Sequence, residues 1–165
     1  MARFAALGAS FLLLMLTACD RPPLDPARAA VMPVDLDSAR YLAAQCEREP
    51  IAVNGAWLPN ADHIKGLEKA LAEVLLQKLR DAPRLALTPA PTNYYRQYAG
   101  VLVESEPRKL FIYINGIHES YVQLAPDQTK WRWRPVVVCG GGIWYFGALY
   151  NVGSGKIHWF EFNRS

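Results

Sequence analysis

The sequence predicts an α+β domain in which one long helix packs on an antiparallel meander of four or five strands. Two observations predict this class. Apolar residues recur at helical spacing in the first half of the chain, and apolar and polar residues alternate after Tyr94. Short loops between the alternating segments favour antiparallel pairing. A helix that precedes such a meander buries its apolar stripe on one face of the sheet, which gives two layers.

A short helix is expected first, over residues 35–49. Asp37 or Ser38 can cap its N-terminus, because short polar side chains accept hydrogen bonds from the free backbone N–H groups there. Leu42 and Cys46 lie four residues apart and therefore share one face of this helix.

The long helix is expected over residues 60–80, after a connector at residues 50–59. Asn60 is a good N-cap, and apolar side chains recur every three or four residues to form one stripe. Pro83 prevents continuation, since proline lacks the backbone N–H that a helix interior needs.

The strands are expected in five alternating segments: residues 93–103, 109–117, 131–139, 143–150 and 156–163. Pro135 places the third segment at a strand start or a sheet edge. The three glycines at residues 140–142 predict a tight turn before the fourth strand. An anion held by exposed backbone N–H groups is the alternative interpretation of that turn.

The first 20 residues carry an export signal. A single charge, Arg3, precedes an apolar run at residues 4–16, which is too short to span a bilayer well, and the sequence LTAC then ends at Cys19. This segment resembles the lipobox of bacterial lipoproteins. The resemblance implies a signal peptide at residues 1–18, cleavage before Cys19, and lipidation of Cys19 by palmitate and by a diacylglycerol on its thiol. An ordinary signal peptide that happens to contain a cysteine is the alternative.

The lipobox resemblance implies a location in the bacterial cell envelope, facing the periplasm. Asp20 resembles the residue that retains some lipoproteins at the inner membrane, but other bacteria follow other rules, so inner and outer membrane both stay open. Residues 19–34 are expected to form the lipidated cysteine and a proline-rich tether. Residues 35–165 are expected to form a single domain.

The composition limits the class of partner. The chain of 165 residues is 52% hydrophobic and 20% charged, which is typical of a globular domain. Its formal net charge is only +3, and no dense basic run is present, so nucleic-acid binding is not expected.

Cysteine usage predicts a disulfide. If Cys19 is lipidated, Cys46 and Cys139 remain as an even pair in an oxidising compartment. Two buried free thiols are the alternative. A zinc site is disfavoured, because neither CxxC nor HxxxH spacing accompanies these cysteines.

The order of elements is similar to that of cystatin-like folds, where one long helix lies across an antiparallel sheet. The QxVxG hairpin of cystatin inhibitors is absent, so the resemblance does not imply protease inhibition. The segments YRQY at residues 95–98 and VCGG at residues 138–141, before a Trp-rich final hairpin, resemble small envelope lipoproteins that have no assigned function.

No catalytic or metal-binding motif is found in the sequence. His63, His118 and His158 share no local metal-ligand spacing, and no serine lies in a G-x-S-x-G elbow. No phosphate-binding loop is present, and no cofactor is expected.

An alternation of tryptophan and arginine suggests a binding surface at residues 131–134. On a strand the two tryptophans share one face and the two arginines the other, so either face could grip a ligand. Packing of the tryptophan pair against the helix is the alternative, and the same alternative applies to two tyrosines of the first strand. The candidate binding residues are Trp131, Arg132, Trp133, Arg134, Tyr94 and Tyr98.

These observations together predict a lipid-anchored binding module without catalysis, whose partner is an envelope protein or peptidoglycan. An inhibitor or immunity protein that guards the envelope is one subtype. An enzyme whose residues meet only in the fold, and a structural envelope component, are the alternatives.

Overall fold

A computed structural model of the chain describes residues 24–46, 48–82 and 88–165. Within these residues it contains three α-helices and a six-stranded, mostly antiparallel sheet, which confirms the α+β class. The helices are α1 (Leu36–Ala43), α2 (Ala61–Asp81) and α3 (Glu119–Leu124). The strands are β1 (Ala29–Val31), β2 (Val53–Trp57), β3 (Tyr94–Val103), β4 (Phe111–His118), β5 (Tyr145–Asn151) and β6 (Lys156–Phe162). None of the helices described is long and apolar enough to cross a bilayer.

The sheet is built around the meander β3-β4-β5-β6, in which each strand pairs antiparallel with the next. Strand β3 is long enough to take two further partners on its other side. Its first half pairs in parallel with β1, and its second half pairs antiparallel with β2.

Helix α2 covers one face of the sheet, as the sequence predicts. Asn60 caps it, because its side chain accepts a hydrogen bond of 2.9 Å from the backbone N–H of His63. The helix buries a stripe of four leucines against the sheet: Leu67, Leu71, Leu75 and Leu79. Burial of this stripe holds the helix to the sheet.

The opposite face of the sheet is covered as well, so the expected two-layer arrangement is wrong. Helix α1 packs there on Val101, Phe111 and Leu149, and residues 119–139 cover the rest of that face. The helix is capped by Asp35, rather than by Asp37 or Ser38. It ends before Cys46, which therefore does not lie on a helix.

The segment at residues 24–34 is part of the domain, not a tether. Leu24 is buried in the core beneath α2, and the parallel strand β1 completes one edge of the sheet. The three residues of this short strand lie between Pro26 and Pro33, and β3 supplies the pairing that holds it. The expected connector at residues 50–59 likewise contains a strand, β2.

Candidate binding surface

Residues 131–139 do not form the expected strand. The chain makes a 3-10 turn at Lys130–Arg132 and then runs over the sheet without regular structure. Side-chain amides of sheet residues form hydrogen bonds with its backbone, as a neighbouring strand would do. Gln97 donates hydrogen bonds of 2.6 Å to the carbonyls of Trp131 and Arg134. Its amide oxygen accepts from the Val136 N–H at 2.9 Å.

Asn115 and Gln45 extend this buried network. Asn115 donates to the Val136 carbonyl at 2.8 Å and to the Gln97 amide oxygen at 3.0 Å. Gln45 donates to the Asn115 amide oxygen at 2.9 Å. Because all three amides are buried, their hydrogen bonds fix the path of the segment strongly.

The far end of the segment is held by Asn163 and Arg48. Asn163 donates 2.8 Å hydrogen bonds to the carbonyls of Val138 and Gly140. Its amide oxygen accepts a 2.6 Å hydrogen bond from Arg48. The buried Arg48 guanidinium also donates to the Tyr113 hydroxyl at 3.2 Å.

The predicted disulfide between Cys46 and Cys139 is confirmed, with Cα atoms 5.7 Å apart. It joins the chain just after α1 to the end of the irregular segment. Together with the buried amides it fixes the segment at both ends.

A groove of about 280 Å³ lies between α3 and this fixed segment. Its lining is mostly apolar and includes Tyr121, Val122, Pro126, Lys130, Arg134 and Val136. Around it, the exposed side chains on α3 and the turn form what we call the groove surface: Tyr121, Leu124, Lys130, Arg132, Trp133 and Arg134.

The structure separates the two tryptophans that the sequence placed on one face. Trp131 is 4% exposed and forms the floor of the groove, and its ring packs edge-to-face with that of Tyr95, with the ring centroids 4.8 Å apart. Trp133 is 48% exposed, and the Arg134 guanidinium lies over its ring at 4.8 Å. The turn, unlike a strand, points consecutive side chains in unrelated directions. Trp131 is therefore a core residue, and Trp133 is the tryptophan available to a partner.

Arg132 has a different role from Arg134. Its guanidinium lies over the Trp131 ring at 4.6 Å and donates a 3.0 Å hydrogen bond to the Ala27 carbonyl. It therefore ties the turn to the N-terminal segment of the domain while it remains solvent-exposed.

Tyr94 and Tyr98 are not at the surface, which corrects their selection as binding residues. Both are fully buried beneath α2, on the face of the sheet opposite the groove. The Tyr94 hydroxyl donates to the Ile143 carbonyl at 2.5 Å, and Tyr98 donates to Glu68 of α2. Burial raises the pKa of both phenols.

Sequence reasoning missed α3, and with it Tyr121 and Leu124. Leu124 is 84% exposed and Tyr121 is 39% exposed. Two local signals mark this helix: Glu119 lies in its first turn, and Pro126 follows its end. Six residues are too few for a clear apolar periodicity.

His118 and Ser120 lie within hydrogen-bond distance at the start of α3. The His118 Nδ1 is 2.9 Å from the Ser120 hydroxyl, and it also accepts the Ser120 backbone N–H at 3.2 Å. This is the geometry of a helix N-cap, since His118 directly precedes α3. No cluster of three or more metal-ligating side chains occurs among the residues described.

His118 is expected to make the stability of the domain depend on pH. Burial lowers the pKa of this imidazole below its ordinary value of 6.5, and Arg28 lowers it further, against the opposing effect of Glu119. As the pH falls, His118 therefore binds a proton in the unfolded chain before it does so in the folded chain. We expect the melting temperature to fall as the pH decreases through 6.5.

The variant His118→Asn tests this expectation, because asparagine also caps helices but does not titrate. Thermal melts from about pH 7.5 to about pH 5 avoid the range in which most carboxylates titrate. The variant should show a smaller loss of melting temperature than the wild type over this range. Equal pH dependence in the two proteins would contradict the role given to His118.

Cys19, the predicted lipidation residue, lies outside the described residues. No family model, curated protein or solved structure matches this chain.

Proposed function

We propose that the protein is a lipid-anchored binding module of the bacterial envelope, which faces the periplasm and binds a partner through the groove surface without catalysis. One observation carries this proposal. Of the eight large apolar side chains that are exposed in the described residues, three lie on α3 and the adjacent turn. Exposed apolar side chains gathered in one place mark an interaction site more often than scattered ones do.

The chemistry of the groove surface supports binding. Aromatic residues and arginine are enriched where proteins meet partners, and here Trp133 and Arg134 stack on one another beside a mostly apolar groove. The buried amides hold this surface in place before any partner arrives. A surface that is already ordered loses less conformational entropy on binding.

The anchor is supported by the sequence. The lipobox resemblance at residues 16–19 implies acylation of Cys19, and a thiol with two acyl chains holds a protein to a bilayer durably. The partner classes that fit a protein held there are an envelope protein, peptidoglycan and the membrane itself. A protein partner would agree with an inhibitor or immunity role.

The proposal can be tested in intact cells with a photoreactive amino acid at position 133. Tyr41 of α1 is the matched control position, since it is an aromatic residue that is 59% exposed on another part of the surface. We expect covalent adducts from position 133 and few or none from position 41. Intact mass of the purified protein should show cleavage before Cys19 and added acyl chains.

Two results would contradict the proposal. Equal labelling from both positions would show that the groove surface is not a preferred contact. A mature N-terminus elsewhere, without acyl chains, would exclude the anchor, and Cys19→Ala provides the reference for a chain that cannot be acylated.

A further inference from the structure

The N-terminal segment of the domain runs beside the groove surface. Leu24 is buried in the core, and the next carbonyl, that of Asp25, accepts a 2.7 Å hydrogen bond from the buried Arg96. Ala27 accepts the hydrogen bond from Arg132 of the turn. Arg28 forms a 2.7 Å ion pair with Glu119, the first residue of α3. Both parts of the groove surface are thus joined directly to residues 25–28.

The distance from this segment to the proposed anchor is short. Only residues 20–23 separate Cys19 from Leu24. An extended chain spans at most about 3.6 Å per residue, so the two Cα atoms lie within about 18 Å of each other. A domain of this size is about 35–40 Å across. An acylated Cys19 would therefore keep Leu24 close to the bilayer, together with residues 25–28, which bond the turn and α3.

The side chains at this end suit an anionic lipid surface. Lys130, Arg132 and Arg134 are exposed, and Asp127 is the one acidic side chain among the groove-lining residues, so the basic side chains are in excess. Basic side chains within a Debye length of an anionic membrane, about 8–10 Å, are attracted to it. Trp133 and Leu124 supply the exposed apolar groups, and tryptophan favours the boundary between headgroups and acyl chains.

We propose that the groove surface docks on anionic phospholipid headgroups of the membrane that holds the anchor. This inference rests on the proposed function and names the partner of the same surface. A lipid partner is favoured over a protein because the short tether holds residues 25–28, which bond the turn and α3, near the bilayer, and because the exposed charges of the turn are basic. In the docked orientation the turn at residues 104–110, at the opposite end of β3, faces the periplasm.

Quenching of tryptophan fluorescence by brominated lipids tests the contact. The full-length acylated protein is reconstituted into vesicles of phosphatidylcholine and phosphatidylglycerol in equal amounts, with bromine on the acyl chains. We expect Trp133→Phe to remove more than half of the quenching. Trp159→Phe, which changes a half-buried tryptophan of β6, should leave the quenching almost unchanged.

The role of charge is tested with the double variant Lys130→Gln, Arg134→Gln. Each basic residue removed should shift the ratio of docked to undocked protein about fivefold towards the undocked state, so the double variant shifts it about 25-fold. In the mixed vesicles, the quenching of the double variant should fall to the level that the wild type shows in vesicles of phosphatidylcholine alone. Matching melting temperatures would show that the variants fold.

The outcomes separate this inference from the proposed function. An acylated protein whose quenching is insensitive to Trp133→Phe or to phosphatidylglycerol would overturn lipid docking but leave the anchor in place. Protein adducts in place of lipid adducts from position 133 in cells would also overturn lipid docking, while the binding module stands. A chain without acyl groups would overturn both.

Discussion

Replacing Trp131 with alanine is expected to lower the free energy of unfolding by about 3–5 kcal/mol, as for other buried large-to-small changes. Trp131 packs with Ile117, Val122 and Val136 in a small apolar cluster beneath the groove. Removing the indole leaves a cavity that the fixed segment cannot fill, because Gln97 holds the backbone at Trp131 and Arg134.

Trp133→Ala is the matched comparison, since the two tryptophans are two residues apart on the same turn. Trp133 is exposed, so its truncation should change the free energy of unfolding by less than about 0.5 kcal/mol. Urea unfolding of both variants gives the two values. Similar losses in the two variants would mean that Trp133 is also part of the packed structure, and that the groove surface lacks its main aromatic group.

The sequence predicts whether an element is a helix or a strand where its hydrophobic pattern is long. It also helps that the element's hydrogen-bond partners lie in the same element or in the next one along the chain. Helix α2 carries its own cap and an apolar stripe over 21 residues. The strands of the meander alternate over seven to ten residues and pair with their sequence neighbours. In these elements local preference and tertiary packing favour the same structure.

The segment at residues 131–139 shows where such prediction fails. Its alternation fits a strand, yet Gln97, Asn115 and Asn163 bind its backbone from positions 21 to 39 residues away in the sequence. The sequence does not predict strand β1 for a related reason. Its three residues are too few to show a period, and the strand depends on β3 for its pairing. Distant partners, rather than local preference, decide both structures.

The candidate site was therefore predicted only in part. The sequence singles out residues 131–134 as binding candidates but places them on a strand, and only the fold separates the exposed side chains of this turn from the buried Trp131. The selection of Tyr94 and Tyr98 failed because alternation does not tell which face of a strand is covered when both faces are covered.

Loss of the disulfide is expected to have the largest effect on stability. The Cys46–Cys139 bond spans 93 residues of sequence. In the chain-entropy model, closing a loop of that length lowers the entropy of the unfolded chain and so raises its free energy by about 4–5 kcal/mol. The double variant Cys46→Ser, Cys139→Ser should therefore be less stable by about this amount in urea unfolding, and reduction of the wild type should cause a similar loss.

The same variant tests what fixes the groove surface in the folded state. The disulfide acts mainly on the unfolded chain, whereas the hydrogen bonds of Gln97, Asn115 and Asn163 act on the folded segment. We expect the folded variant to keep slow amide exchange at Val136, whose N–H is bound by Gln97. Fast exchange at Val136 under native conditions would show that the disulfide itself holds the segment. The buried amides would then be a consequence of the cross-link rather than an independent constraint.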